Sequence, residues 1–207
     1  MDDIPGAPDL RKGSIIAIYQ TSNERREIPF QYNPDTLTRR LTAQTASGGD
    51  NSDRGEPLRL KGPPQETFSL EIEIDVTSQV EEGASARDGD IYPALAALES
   101  LLYPQYSKVT DNEQSAKEGK IEIIPLEAPL TLFVWGRKRT VPVRLISFSI
   151  TEEAFNPQLN PVRARISLEL QVLTYYDLGF KNAGGKAFIT YHRNIEERAS
   201  QYKPKRQ

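Results

Sequence analysis

Glu66-Thr-Phe-Ser-Leu-Glu-Ile-Glu-Ile-Asp-Val-Thr77 alternates without a break. Phe68, Leu70, Ile72, Ile74 and Val76 fall on one parity, and Thr67, Ser69, Glu71, Glu73, Asp75 and Thr77 on the other. Successive side chains of a strand point to opposite faces, so this run reads as a β-strand with one buried and one wet face, not as a helix. At about 3.3 Å per residue it reaches roughly 40 Å, well past the usual five or six residues.

The same period recurs along the chain. In Val162–Val172, Val162, Ala164, Ile166, Leu168, Leu170 and Val172 face a core while Arg163, Arg165, Ser167, Glu169 and Gln171 face away. Val141–Ile150 changes phase midway: Val141, Val143 and Leu145 share one parity, Ile146, Phe148 and Ile150 the other. One extra residue in a bulge near Leu145–Ile146 returns both sets to one side. Shorter strands are expected at Ile15–Tyr19, Ile28–Tyr32, Leu37–Ala43 and Leu130–Trp135, with a hairpin turn at Gly136–Arg139. One helix interrupts them at Ile91–Tyr103. It has Ile91, Leu95, Leu98 and Leu102 at helical spacing, Pro93 in its first turn, Pro104 at its stop and Asp88 and Asp90 ahead of it. Strands, helix, strands is the order of a mainly β fold, an antiparallel barrel or sandwich with one packed helix. Ser47–Pro57, Glu81–Gly89 and Ser107–Gly119, all polar and turn-rich, read as long loops.

Three textures divide the chain: a polar arm at 1–13, a β-domain at 14–178, and an extension at 179–207. The extension is a linker, Gly179–Gly185, then a helix, Ala187–Tyr202, and a basic end, Lys203–Arg206. Seven of the 26 basic and two of the 29 acidic residues fall at 181–207, a local excess of +5 that leaves −8 on the first 180 residues.

The 207 residues suffice for one domain with its own core. With 37% hydrophobic residues, no run approaches the roughly 20 apolar residues of a membrane span. The first residues have no apolar stretch of the signal-peptide kind, so synthesis in the cytoplasm is expected. Net charge is −3, which gives no bulk argument for nucleic acid. There is no Cys, which removes disulfides and thiolate chemistry, and His192 is the only histidine.

Candidate chemistry is correspondingly thin. Glu71, Glu73 and Asp75 share a face and have the donor type of a hard-cation site. A solvated or subunit-contacting strand face accounts for them more simply. Arg163 and Arg165 offer complements to them, across strands or across subunits. His192, between Tyr191 and Arg193, lacks the partners catalysis needs and reads as a surface or interface residue. Thr151–Pro161 holds two Asn-Pro turn signals with Phe155 and Leu159 between or beside them. Those two bulky side chains either fold back as a lid on the end of the β-domain or stand out as an anchor for another chain. No enzymatic activity, cofactor or metal is expected.

Four segments in order carry a resemblance: Phe30-Gln-Tyr-Asn-Pro-Asp-Thr-Leu37, Gly62-Pro-Pro-Gln-Glu-Thr-Phe-Ser-Leu70, Phe133-Val-Trp-Gly136 and Thr151–Asp177. Over Gly13–Leu178 the chain resembles tube-domain proteins of contractile injection systems, which are phage-tail-like particles, and above all the adaptor that joins inner tube to central spike in the baseplate. The resemblance implies a β-barrel of the tube type that assembles as a homohexameric ring without catalysis. It implies partners in the inner-tube or tube-initiator protein, the trimeric spike and the baseplate wedge proteins, with no nucleic acid and no direct membrane insertion. It places the chain in a particle assembled in the cytoplasm, then released or membrane-anchored. In that family a LysM domain commonly follows, and the 29 residues after Leu178 are too few for one. The helix Ala187–Tyr202, with Tyr191, His192 and Arg193, is expected to dock on a neighbouring subunit or baseplate protein instead. Glu71, Glu73 and Asp75 are expected to face Arg163 and Arg165 of the next copy in the ring.

Alternatives stay open. A tube initiator or ordinary tube subunit of the same machine fits the same segments. A carbohydrate-binding β-sandwich would need an aromatic platform from Trp135, Tyr103 and Tyr106. A small hydrolase using an acid pair is disfavoured, because no spacing selects a pair.

Overall fold

The structure is a computed structural model that describes residues 12–19, 24–45, 59–76, 90–119, 126–136 and 138–203. The expected loops Ser47–Pro57 and Glu81–Gly89, most of the expected arm, and most of the basic end lie outside the described residues.

The long alternating runs are the longest strands. They are β4 (Gln65–Asp75), β6 (Thr140–Phe155) and β7 (Pro161–Val172). Shorter strands are β1 (Ser14–Tyr19), β2 (Glu24–Pro29), β3 (Leu37–Thr42) and β5 (Leu130–Val134). All seven form one antiparallel sheet in the order β2-β1-β5-β6-β7-β4-β3. The fold is mainly β, as the alternation requires. The strand expected at Ile28–Tyr32 lies earlier in the chain, at Glu24–Pro29; the Phe30 amide still donates to the Gly13 carbonyl at 2.8 Å, and from Gln31 the chain turns to Asp75 of β4.

Between β6 and β7, Leu145 faces Leu170 and Ser147 faces Glu169, so Ile146 is the extra residue of a bulge. Leu145 is buried and Ile146 exposed, while Phe148 and Ile150 return to pack on the core. A second irregularity between Glu152 and Ala154 makes Glu153 a further unpaired residue. At the β5–β6 hairpin, Gly136 takes φ +73°, a left-handed turn position that suits glycine, and the Trp135 amide donates to the Arg139 carbonyl at 2.8 Å.

The sheet curls over its own core. Phe68 on β4 and Phe133 on β5 stand with ring centroids 5.2 Å apart although two strands separate them in the sheet, and Phe30 lies 6.4 Å from Phe133. Each of these rings is almost wholly buried, and such burial contributes about 1.5–3 kcal/mol per side chain. Gln31 closes the curl. Its side-chain amide donates to the Asp75 carbonyl at 2.5 Å and accepts from the Asp75 amide at 2.8 Å, imitating a neighbouring strand where β3 no longer covers β4.

Helix α1 (Tyr92–Glu99) adds Leu95 and Leu98 to the core, with Ile91 and Leu101 flanking it. It is shorter than Ile91–Tyr103, and Leu102 points to solvent. The expected loop Ser107–Gly119 is instead mostly a second helix, α2 (Tyr106–Lys117), with no buried residue. Its polar composition hides it, since a helix that buries nothing leaves no apolar stripe to read. The short α3 (Tyr175–Leu178) starts at a Thr174–Asp177 capping box. Helix α4 (Ala183–Ser200) begins inside the expected linker, with Asn182 as its N-cap. Gly184 and Gly185 are buried in its first turn, where a Cβ on Gly185 would run into the Gly179 carbonyl and one on Gly184 into Leu178 and Leu130.

Candidate interaction surface

The outer face of β4, β6 and β7 carries a charge ladder. Pairing of β4 with β7 sets Asp75 opposite Arg163 and Glu73 opposite Arg165. The Arg163 guanidinium donates from Nε and Nη2 to Asp75 Oδ2, both at 2.8 Å, and reaches Glu73 at 3.7 Å. Arg165 reaches Glu71 at 3.3 Å and Glu153 at 3.2 Å. Glu153 shares the parity of Thr151, which lies opposite Arg165 on β7, so alternation along β6 brings it to the same face. Hydrogen bonding to Asp75 raises the Arg163 pKa, with the charge of Asp75 adding to it.

Of the two pairings open to these residues, the across-strand one is formed within a single chain. Antiparallel register sets Glu71, Glu73 and Asp75 beside Arg163 and Arg165, which is the across-strand arrangement expected of them. Four carboxylates against two guanidiniums leave the face net acidic. Exposed pairs such as Arg165–Glu71 contribute about 0–1 kcal/mol each, so the ladder shapes the surface more than it stabilises it. With the arginines seated on them, the acids are not gathered as a cation site. Among the described residues no group of three or more His, Asp or Glu is placed to hold a metal ion.

Phe155 and Leu159 are not a lid. Phe155 is 51% exposed and Leu159 77%, at the tip of the β6–β7 hairpin. Asn156 organises that tip: its Oδ1 accepts from the amides of Gln158 and Asn160, its amide donates to the Asn160 carbonyl, and its carbonyl accepts from the Leu159 amide. Leu159 takes φ +64°, a left-handed conformation unusual for a branched apolar residue.

Tyr191 is not available to another chain. It is 4% exposed and packs beside Phe188 on the body of its own chain. Its phenol donates at 2.8 Å to Glu66 Oε1, and Arg39 Nε donates to the same oxygen. Arg39 also lies over the rings of Phe68 and Tyr191. Glu66, itself 4% exposed, shares the core-facing parity of Phe68, and a buried carboxylate survives there because both donors satisfy it. Burial, then the neighbouring Glu66, pushes the Tyr191 pKa up. Burial opposes the charge of Arg39, yet pairing with Glu66 outweighs it and its pKa is raised. Reading Glu66–Thr77 for apolar residues alone misses this cluster, although a carboxylate on the buried parity is its signal. The opposite side of α4 is open: His192 and Arg193 are exposed, and His192 sits 3.8 Å from Glu196.

Trp135 stacks on Phe133, 5.9 Å between centroids, and is half-buried, whereas Tyr103 and Tyr106 stand exposed around the start of α2. No ring contact joins the three into a sugar platform. No helix among the described residues is long and apolar enough to cross a membrane.

A curled antiparallel sheet with a charged outer face and an apolar-tipped hairpin defines a β-rich structural subunit. Residues 9–177 match the family model described as contractile injection system tube protein, and the chain belongs to that family. No curated protein matches the sequence. The chain is thus a tube-type structural protein of a contractile injection system, and α4 lies outside the matched region.

Proposed function

We propose that this chain forms the homohexameric baseplate ring that connects the inner tube to the central spike, without enzymatic activity. One ring face meets the inner-tube or tube-initiator protein, the other the trimeric spike, and baseplate wedge proteins surround it. The observation that carries this reading is α4. Beyond the tube-type body, an 18-residue helix is held to the sheet by Tyr191 and Glu66 and turns a charged side outward. A subunit that only repeats itself along a tube has no need of such an addition, whereas a junction has unlike neighbours to recognise.

The test is the mass and shape of the purified protein, alone and mixed with the particle's trimeric spike protein. Light scattering should give a discrete species near six times 23.3 kDa, and negative-stain images should show single rings capped by the spike. Rings that stack on themselves into tubes would replace this reading with that of a tube initiator or tube subunit, which the family description itself favours. A persistent monomer in both samples would remove both readings.

A further inference from the structure

We infer that the tip of the β6–β7 hairpin is a knob for a second copy of this chain, with Leu159 seated in the groove between α1 and strands β2 and β4 of that copy. The inference deepens the ring reading and rests on it. The knob is preformed. Asn156 holds the turn through its side chain and backbone, and the result is an apolar side chain displayed to water from a left-handed backbone. Nothing among the described residues covers it, and Phe155 extends the same apolar tip.

The groove matches it in size and character. Its volume is about 490 Å³, ample for an isobutyl group with part of a neighbouring ring. Phe30, Ile72 and Ile74 line it from the sheet, and Pro93, Ala94 and Ala97 from the helix. Charge agrees as well. Lys12 lines the groove and Glu152 precedes the tip, and among the described residues neither makes an ion pair within the chain. Knob and groove also belong to one end of the molecule, since the Ile91 amide ahead of α1 donates to the Pro161 carbonyl behind the tip at 3.3 Å. Two different patches at one level make a heterologous contact, which closes into a ring when the rotation allows.

The absence of Cys makes a direct test clean. Reduced chains carrying Leu159→Cys or Ala94→Cys are oxidised in parallel, each alone and as an equimolar mixture, then read on non-reducing gels and by mass spectrometry. The mixture should give a disulfide-linked heterodimer at about tenfold or more the covalent dimer yield of either chain alone. Equal yields, or no heterodimer, would overturn the inference. Leu159→Gly and Leu159→Asn keep the left-handed turn and remove the apolar group. Each should weaken self-association by about tenfold or more in sedimentation, and unchanged association would count against the knob. Lys12→Glu should weaken association likewise, and adding Glu152→Lys should restore it. Rings in micrographs without the cross-link would sink this contact and leave the ring reading standing. The cross-link without rings would uphold the contact and sink the ring.

Discussion

Tyr191 donates to Glu66 at 2.8 Å across 125 residues of sequence, and through that bond α4 is tied to the core side of β4. Glu66 is buried, so a lost donor is not replaced by water. Tyr191→Phe should destabilise the protein by about 1–3 kcal/mol in chemical denaturation at neutral pH. Arg39 remains on the carboxylate, which places the loss below that of removing both donors.

The same phenol predicts an alkaline limit. Its pKa is raised from 10.0 in the folded protein, chiefly by burial. Above that value an unfolded chain releases a proton the folded one keeps, so unfolding free energy falls as pH rises, whereas below it the contribution is fully present. Denaturant melts between pH 8 and about 11 should show this loss in the parent and less of it in Tyr191→Phe. Tyr175 shifts in the same direction, again chiefly by burial, so the difference between the two proteins is the quantity to read.

Gln31 supplies the seam between the β2 side of the sheet and β4 through two bonds to one residue. Gln31→Ala should cost about 1–3 kcal/mol, since it leaves the backbone groups of Asp75 short of partners. Hydrogen exchange should accelerate at the Asp75 amide while β6 and β7 stay protected.

Arg163 and Arg165 are adjacent on one face yet unequal. Arg163 makes a forked bond to Asp75, which is buried, whereas Arg165 and Glu71 are both largely exposed. Arg163→Glu should lower the melting temperature of the isolated chain, and Arg165→Glu should change it little. Equal effects from the two would contradict a structural role for the Asp75 contact.

Gly185 leaves no room for a side chain against the Gly179 carbonyl. Gly185→Ala should therefore destabilise the start of α4 by on the order of 1–3 kcal/mol despite alanine's better helix propensity. Limited proteolysis between Leu178 and Lys186 is the sensitive measure.

The long strands were legible because period two leaves no alternative over so many residues in β4 and β7. The Ile146 bulge was legible because an apolar set changes parity only if a residue is inserted. Helix α2 was not, since Tyr106–Lys117 buries nothing and so lacks a periodic stripe. The start of α4 was hidden because paired glycines serve flexibility and close packing alike, and only the neighbouring Gly179 and Leu178 decide between them. Of the candidate surface, alternation placed the acids and arginines on one face but could not say which strand lay beside which. The Glu66–Tyr191 bond stayed out of reach for the same reason.

The two outermost strands, β2 and β3, end the sheet with Glu24, Arg25, Arg26 and Glu27 on one side and Arg40 on the other. Unpaired backbone is an open invitation to amyloid-like growth, and dense ionised side chains are how natural proteins refuse it. Ionised side chains on both margins thus oppose fibril-like pairing of subunits that have not yet met their neighbours.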